Sequence, residues 1–379
     1  MSGMLYQAYM KWHPIPLPPS DSFKDQAILV TGGTSGLGLA AAVHFVNLGA
    51  SEVIITSRSA SRAKAALETI EKETKGRSRD RVRVLDLDMS HYASVVAFAQ
   101  EAKKIRAGKG GIDFAVLNAG ILNMEFSLGD EGSEQNVKTN ALSTALLGFL
   151  LLQWMKTERP NRSAPAHLAA VGSSQHLAPN TNDWTKWASE TGILEHFNKP
   201  ENWPGSSPMY GATKLLAQYA VNELVEMSLG PDGRPEVIIN TMCPGIVRSD
   251  LPRQFMNQSV GYRIFIAIYF SIFSKTAENG ARTYVATGLT KENEHVSDIS
   301  LPLRLYYLPT YKLVRTADIV GFNVQGKFIR FYGSEAEYRK KAEILLTGEA
   351  GRKMQAQVWS EMKADFIAKI PNAKEVLGL

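Results

Sequence analysis

Tyr210 and Lys214 stand four residues apart in Tyr210-Gly211-Ala212-Thr213-Lys214, which puts both side chains on one face of a helix. A free phenol, with a pKa of about 10, exchanges protons poorly near neutrality. A lysine ammonium beside it favours the phenolate and lowers that pKa, making the pair a candidate proton donor and acceptor. The plain alternative is a partly exposed helix pair with no chemistry. A second candidate lies far upstream, in Thr31-Gly32-Gly33-Thr34-Ser35-Gly36-Leu37-Gly38. The apolar run Ala27 to Val30 precedes it and Leu39-Ala40-Ala41-Ala42-Val43 follows, so it reads as a glycine-rich turn between a strand and a helix. Glycines let the backbone approach a diphosphate, and the free N–H groups of the helix start point at its charge. Short glycine patterns also occur in ordinary turns, so the rest of the chain must give this one its meaning.

The elements that would position these groups alternate. Strands are predicted over Ala27–Thr31, Glu52–Thr56, Arg81–Asp86, Ile112–Leu117, His167–Gly172 and Val237–Met242. Helices are predicted over Gly36–Leu48, from about Ser61, and over His91–Arg106, Glu134–Trp154 and Tyr210–Ser228. This alternation predicts a parallel sheet covered on both faces, an α/β fold. Residues 1–25, with four prolines between Pro14 and Pro19, read as an extended arm before a catalytic unit over 26–333. Residues 177–208, rich in tryptophan, and 291–325 interrupt the alternation and are expected to be lids or binding loops. Residues 334–379 read as a charged helical extension.

Bulk properties narrow the function classes. The chain has 379 residues, 44% of them hydrophobic, enough for one large α/β domain or two small ones. A formal charge of +5 without a lysine or arginine block argues against nucleic-acid binding. One cysteine, Cys243, excludes an internal disulfide and a cysteine-rich zinc site, and no metal is expected; it suits a reducing, cytoplasmic compartment. No secretory signal is evident, and the apolar stretch at 262–273 is short of a membrane span, so a soluble protein touching a membrane surface at most is expected.

Together the motifs resemble the short-chain dehydrogenase/reductase family. Thr31-Gly32-x-x-x-Gly36-x-Gly38 is similar to its cofactor loop, Asn118-Ala119-Gly120 to its strand end, and Tyr210-x-x-x-Lys214 to its active-site pair. Pro244-Gly245 with Ser249 is similar to the stretch beside the nicotinamide. The resemblance implies a Rossmann-type doubly wound parallel sheet, a single domain with substrate-lid insertions and a C-terminal helical extension. It also implies a tetrad of Asn140, Ser173, Tyr210 and Lys214, in which Tyr210 protonates a carbonyl oxygen as hydride arrives. Lys214 would also bind the nicotinamide ribose, Ser173 the substrate oxygen, and Asn140 a water relaying protons to Lys214. Ser174 competes with Ser173, and the spacing to His176 favours Ser173; His176 itself either lines the pocket or simply packs. Asn140 has the alternative of a helix-interior asparagine bonding backbone.

Cofactor contacts are expected from Gly32, Thr34, Ser35, Gly36, Leu37, Gly38, Ser57, Arg58, Asp88, Met89, Asn118, Ala119, Gly120, Tyr210, Lys214, Pro244, Gly245, Val247 and Ser249. Thr56-Ser57-Arg58 after the second strand holds no carboxylate for ribose hydroxyls, and Ser57 and Arg58, helped by Arg62, suit a 2′-phosphate, so NADP(H) is expected over NAD(H). Ser35 departs from the basic residue that many NADP-dependent relatives carry there. The implied substrate is a bulky, apolar ketone, aldehyde or alcohol, and a homodimer is compatible with the resemblance. Arg282-Thr283 and the tail near Gly351–Trp359 resemble retinol-dehydrogenase-like and fungal secondary-metabolism reductases; 291–325 and the strand-like 327–332 fit the first group poorly. The alternatives are net isomerisation or epimerisation through a transient ketone, and a silent NADP-binding scaffold.

Overall fold

The computed structural model describes residues 9–248, 269–290, 328–330 and 335–378. Seven parallel strands form one sheet: β1 (Ala27–Val30), β2 (Glu52–Ser57), β3 (Val82–Asp86), β4 (Phe114–Leu117), β5 (Ala166–Val171), β6 (Val237–Cys243) and β7 (Phe328–Arg330). Their order is β3-β2-β1-β4-β5-β6-β7, with Ile28 opposite Val53 on one side and Phe114 on the other. Every residue of β1, β4 and β6 is buried, as expected of strands covered on both faces. The strand order reverses between β1 and β4, which opens a crevice at the carboxyl ends of these two strands.

One face of the sheet carries α1 (Gly36–Asn47), α2 (Ala60–Glu73) and α8 (Ala277–Gly288), whose Phe45, Ile70 and Tyr284 share a core with Ile28, Val53 and Phe114. The other face carries α3 (Tyr92–Ile105), α4 (Ser143–Glu158) and α7 (Ser206–Met227), closed by the tail helix α10 (Glu349–Lys369). α5 (Trp184–Glu190) and α6 (Ile193–Phe197) lie between β5 and α7, and α9 (Glu335–Ala342) and α11 (Ala373–Leu377) flank α10. This is the Rossmann-type doubly wound parallel sheet expected from the sequence.

Four differences from expectation have physical causes. The single helix expected over Glu134–Trp154 is broken: a turn at Gln135–Val137 passes into a π-helical turn, Lys138–Leu142, before α4 begins. Hydrophobic periodicity cannot register one wide turn, because every residue from Lys138 to Leu142 is buried on all sides. The N-terminal arm is not wholly extended: residues 9–12 form a helical turn, and Arg282 holds the arm through Ile15 O at 2.9 Å.

The tryptophan-bearing insertion is also more structured than a loose lid. Trp184 is 2% exposed and packs edge-on against Phe197, in the core shared with α4, α7 and α10. Burying such aromatic side chains stabilises the fold by roughly 1.5–3 kcal/mol each. Finally, the tail is more than a helical pair, and it is fastened to the sheet domain. Tyr219 on α7 donates to Leu345 O at 2.9 Å, Leu194 N to Glu361 at 2.9 Å, and Tyr92 on α3 to Asp365 at 2.5 Å. The expected lid at 262–273 lies outside the described residues up to 268, and 291–325 lies outside them entirely.

Candidate active site

The glycine turn joins β1 to α1 at the strand-order reversal. Gly32 and Gly36 have φ of +64° and +52°, a left-handed backbone that other residues adopt with strain. Ser35, the N-cap of α1, makes no side-chain cap, and the first turn carries no acidic residue. The N–H groups of that turn therefore face outward for an anion, flanked by Thr34 and Leu37. The loop is tied from beneath. Thr31 Oγ1 accepts from Asn118 N at 2.9 Å and Ala119 N at 3.0 Å, while Asn118 Nδ2 donates to Thr31 O at 2.8 Å. Gly32 N donates to Thr56 Oγ1 at 3.0 Å, linking the loop to β2. These residues fit a dinucleotide diphosphate: the backbone is open, anion-seeking and held in place.

Beyond β2, the Ser57 hydroxyl turns into a tight bend, donating to Ser59 O at 2.9 Å. Arg58 stands out from the surface with 62% of its side chain exposed, 4.0 Å from Asp88. Asp88 accepts from Ser90 N and Oγ at 2.9 and 2.7 Å; these bonds and the nearby Arg58 and His91 outweigh burial and hold its carboxyl below the usual range. Met89 beside it is 7% exposed.

The tetrad residues come from three elements. Tyr210 and Lys214 lie on α7 as the spacing requires, with Lys214 Nζ 5.6 Å from the centre of the Tyr210 ring. Ser173 follows β5 and caps a short 3₁₀ turn, Ser174–Leu177. Of the two serines, it is Ser173 whose side chain bears on the Tyr210 hydroxyl, acting to lower its pKa. Lys214 Nζ donates to Val171 O at 2.8 Å, across the end of β5.

Asn140 sits within the π-helical turn, but its side chain is engaged. Oδ1 accepts from Ile121 N at 2.8 Å, and Nδ2 donates to Ile121 O at 2.9 Å and to Thr213 Oγ1 at 3.2 Å. Asn140 therefore holds the segment after Gly120 against α7. A Cβ on Gly120 would lie 3.1 Å from Asn140 Oδ1 and 4.0 Å from Lys214 Nζ, so Gly120 lets this junction close. His176 is 1% exposed, with Nδ1 2.6 Å from Ser173 O, and it packs edge-on to Tyr338.

In the protein alone, burial and the nearby Cys243 push Tyr210 up to about 12, against a smaller lowering by Ser173. Burial of Lys214 works in the opposite direction on that ammonium, pushing it down to about 8. Both groups thus keep their protons at neutral pH, the state needed to donate one. The lysine's burial is destabilising. The unfolded chain binds a proton up to the ordinary 10.5, the folded one only to about 8, so stability falls as pH drops through that window and stays reduced at neutrality. Lys214→Met is expected to stabilise the cofactor-free protein by about 1–2 kcal/mol at pH 7, after allowing for the lost Val171 bond, and by less at pH 10. Chemical denaturation at the two pH values checks this.

Two nearby residues carried no signal in the sequence. Tyr284 on α8 donates to Asn118 Oδ1 at 2.8 Å, beneath the junction of glycine loop and β4. Lys275, 2% exposed, pairs by backbone with the Pro244-Gly245 loop: its N donates to Ile246 O and its O accepts from Arg248 N, both at 2.9 Å. Gly245 has φ +79°, and Val247 bridges to Lys275. Sheet order brings these residues together from distant parts of the chain. Ser249 lies outside the described residues.

A family model described as short chain dehydrogenase matches residues 26–181. The chain is 34% identical over 287 residues to the short-chain dehydrogenase/reductase phmF of Phaeosphaeria nodorum, covering 76% of this chain and 80% of that protein. It is 33% identical over 285 residues to the short-chain dehydrogenase/reductase ffsI of Aspergillus flavipes, covering 75% and 78%. Among solved structures, an uncharacterized protein from Mycobacterium paratuberculosis aligns over 94% of this chain and 97% of its own, with 21% identity and a TM-score of 0.55. That likeness speaks to the fold alone.

Proposed function

The chain belongs to the short-chain dehydrogenase/reductase family, and on that premise we propose that it is an NADPH-dependent carbonyl reductase of secondary metabolism, working on a bulky, apolar ketone or aldehyde or on the corresponding alcohol in reverse. The single observation that supports this best is the convergence of Ser173, Tyr210 and Lys214 where β5 ends beside the start of α7, with Ser173 bearing on the Tyr210 hydroxyl and Lys214 tied to Val171 O. Bound NADPH supplies a hydride to the carbonyl carbon. The remaining chemistry belongs to this chain. The glycine turn and the start of α1 hold the diphosphate. Ser173 orients the carbonyl oxygen toward Tyr210, and Tyr210 gives that oxygen its proton. Lys214, kept cationic beside Tyr210, stabilises the tyrosinate that remains until a proton returns.

Arg58 supports the choice of NADPH: it is exposed, carries only the loose 4.0 Å contact to Asp88, and no carboxylate stands beside it in Thr56-Ser57-Arg58. Phe126 and Trp203 support an apolar substrate. They meet edge-on at 6.1 Å, the first on the segment after β4 and the second just before α7, the helix that carries Tyr210. The proposed setting is cytoplasmic, and no helix among the described residues is long and apolar enough to cross a membrane.

Titration with NADPH and NADH, followed by turnover on a panel of apolar ketones and aldehydes, tests the reading. NADPH is expected to bind more tightly, and Arg58→Ala to weaken NADPH about tenfold or more while leaving NADH nearly unchanged. Equal loss for both cofactors, or no loss, would count against the 2′-phosphate role.

A further inference from the structure

Lys214, Gln218 and Asn222 recur at four-residue intervals and so form one ridge of α7. Gln218 is 4% exposed, and its Nε2 donates to Asn222 Oδ1 at 2.9 Å. Asn222 Nδ2 donates to Gln355 Oε1 at 2.9 Å, and Gln355 Nε2 donates to Glu223 Oε1 at 2.8 Å. Gln355 belongs to α10, so the chain of bonds leaves the sheet domain, enters the tail and returns. Its direction follows from chemistry. An ionised carboxylate only accepts, so Gln355 must present its NH₂ to Glu223 and its oxygen to Asn222. Asn222 must then present its oxygen to Gln218. The Gln218 oxygen is not used by this chain of bonds, and Gln218 lines the same cavity as Lys214.

Gln218 and Lys214 both line one small cavity with about 10 Å³ open to the centre of a water molecule. Asn140, Thr144 and Thr241 line it together with those two residues. The volume suits a single water. Thr241 Oγ1 is fully buried and has no hydrogen-bond partner among the described residues. The Lys214 ammonium has three donors, of which the structure directs one at Val171 O.

We propose that Gln355, on the C-terminal tail, is a positioning residue for Lys214: through Asn222 it holds the Gln218 oxygen toward this cavity, where one water shared with Thr241 accepts from the Lys214 ammonium. The inference rests on the role proposed above for Lys214 and adds the tail to it. An extra acceptor favours the charged lysine against the cost of its burial. The groups that face Lys214 are Tyr210 on α7, Asn140 in the π-helical turn, the Val171 carbonyl on β5 and Cys243 on β6; Tyr284 and Lys275 lie near Cys243, and Glu223 closes the far end of the chain.

The test uses the full-length protein with and without NADP and reads the Lys214 pKa directly, by NMR titration of its side-chain carbon, with Lys214→Met identifying the signal. Gln218→Met keeps the volume and removes the acceptor; Gln355→Leu breaks the chain from the tail. Each is expected to lower the Lys214 pKa by about one unit, and the double variant to lower it no further. The acidic limb of alcohol oxidation by NADP is expected to move with it. If Gln355→Leu fails to fold, Glu223→Gln, which frees the amide chain to reverse, is expected to give a smaller shift in the same direction. A folded Gln218→Met with an unchanged Lys214 pKa would overturn the proposal. The titration needs no turnover, so wild-type protein inactive on every carbonyl would sink the reductase reading while the pKa shift still decides this one.

Discussion

Tyr210→Phe is expected to lower turnover by about 10²–10⁴-fold while leaving NADPH affinity within a few-fold of wild type. The substitution removes one oxygen from a ring already packed between Ser173 and Lys214, so the fold has little reason to change. Two effects combine in the loss. The proton has no donor of comparable reach, and the substrate oxygen loses one of the two hydroxyls proposed to hold it. Steady-state kinetics with fluorescence titration of NADPH separates them: a raised KM with normal kcat would mean that Tyr210 only positions substrate. The ordinary explanation of a dead variant, misfolding, is checked by the retained cofactor binding.

The second large effect is expected at Gly38. On helix propensity alone, Gly38→Ala in α1 should stabilise the protein by up to about 1 kcal/mol. The structure reverses that sign. A Cβ at this position would lie 2.5 Å from Gly32 O and 2.7 Å from Asn118 Nδ2. Gly32 O belongs to backbone and cannot rotate away, so the whole glycine turn must shift. A loss of roughly 1–3 kcal/mol in stability is expected, with NADPH binding weakened at least tenfold because the diphosphate seat is what moves. Thermal unfolding with and without NADPH gives both numbers. A more stable variant with unchanged cofactor affinity would show that the turn does not pack as described.

Much of this was legible in the sequence because the signals were local. Ala27–Val30 followed by the glycines is a strand–turn–helix within twenty or so residues, and Tyr210 and Lys214 share a face by helix geometry alone. Ser173 and Tyr210 were linked by resemblance, and the sheet order supplies the reason they meet, since β5 ends beside the start of α7. What escaped the sequence was non-local. Tyr284 reaches Asn118 from 166 residues away, and Gln355 reaches Asn222 from 133. Neither has a motif, because a hydrogen bond between two distant helices leaves no spacing to read. The π-helical turn at Asn140 escaped for another reason: its residues are apolar or buried on every side, so no periodicity breaks there. The raised Tyr210 pKa escaped because charge pairing can be guessed from spacing and burial cannot.

The proposed reaction is hydride transfer from NADPH with Tyr210 as the acid. The most direct measurement uses NADPH carrying deuterium at the transferable position, incubated with the full-length protein and a panel of bulky apolar ketones and aldehydes, with products read by mass spectrometry. One deuterium on the carbinol carbon, one NADPH consumed per product, and neither event with Tyr210→Phe is the expected result. Product formed without deuterium or without net NADPH consumption, or full deuterium transfer by Tyr210→Phe, would contradict it.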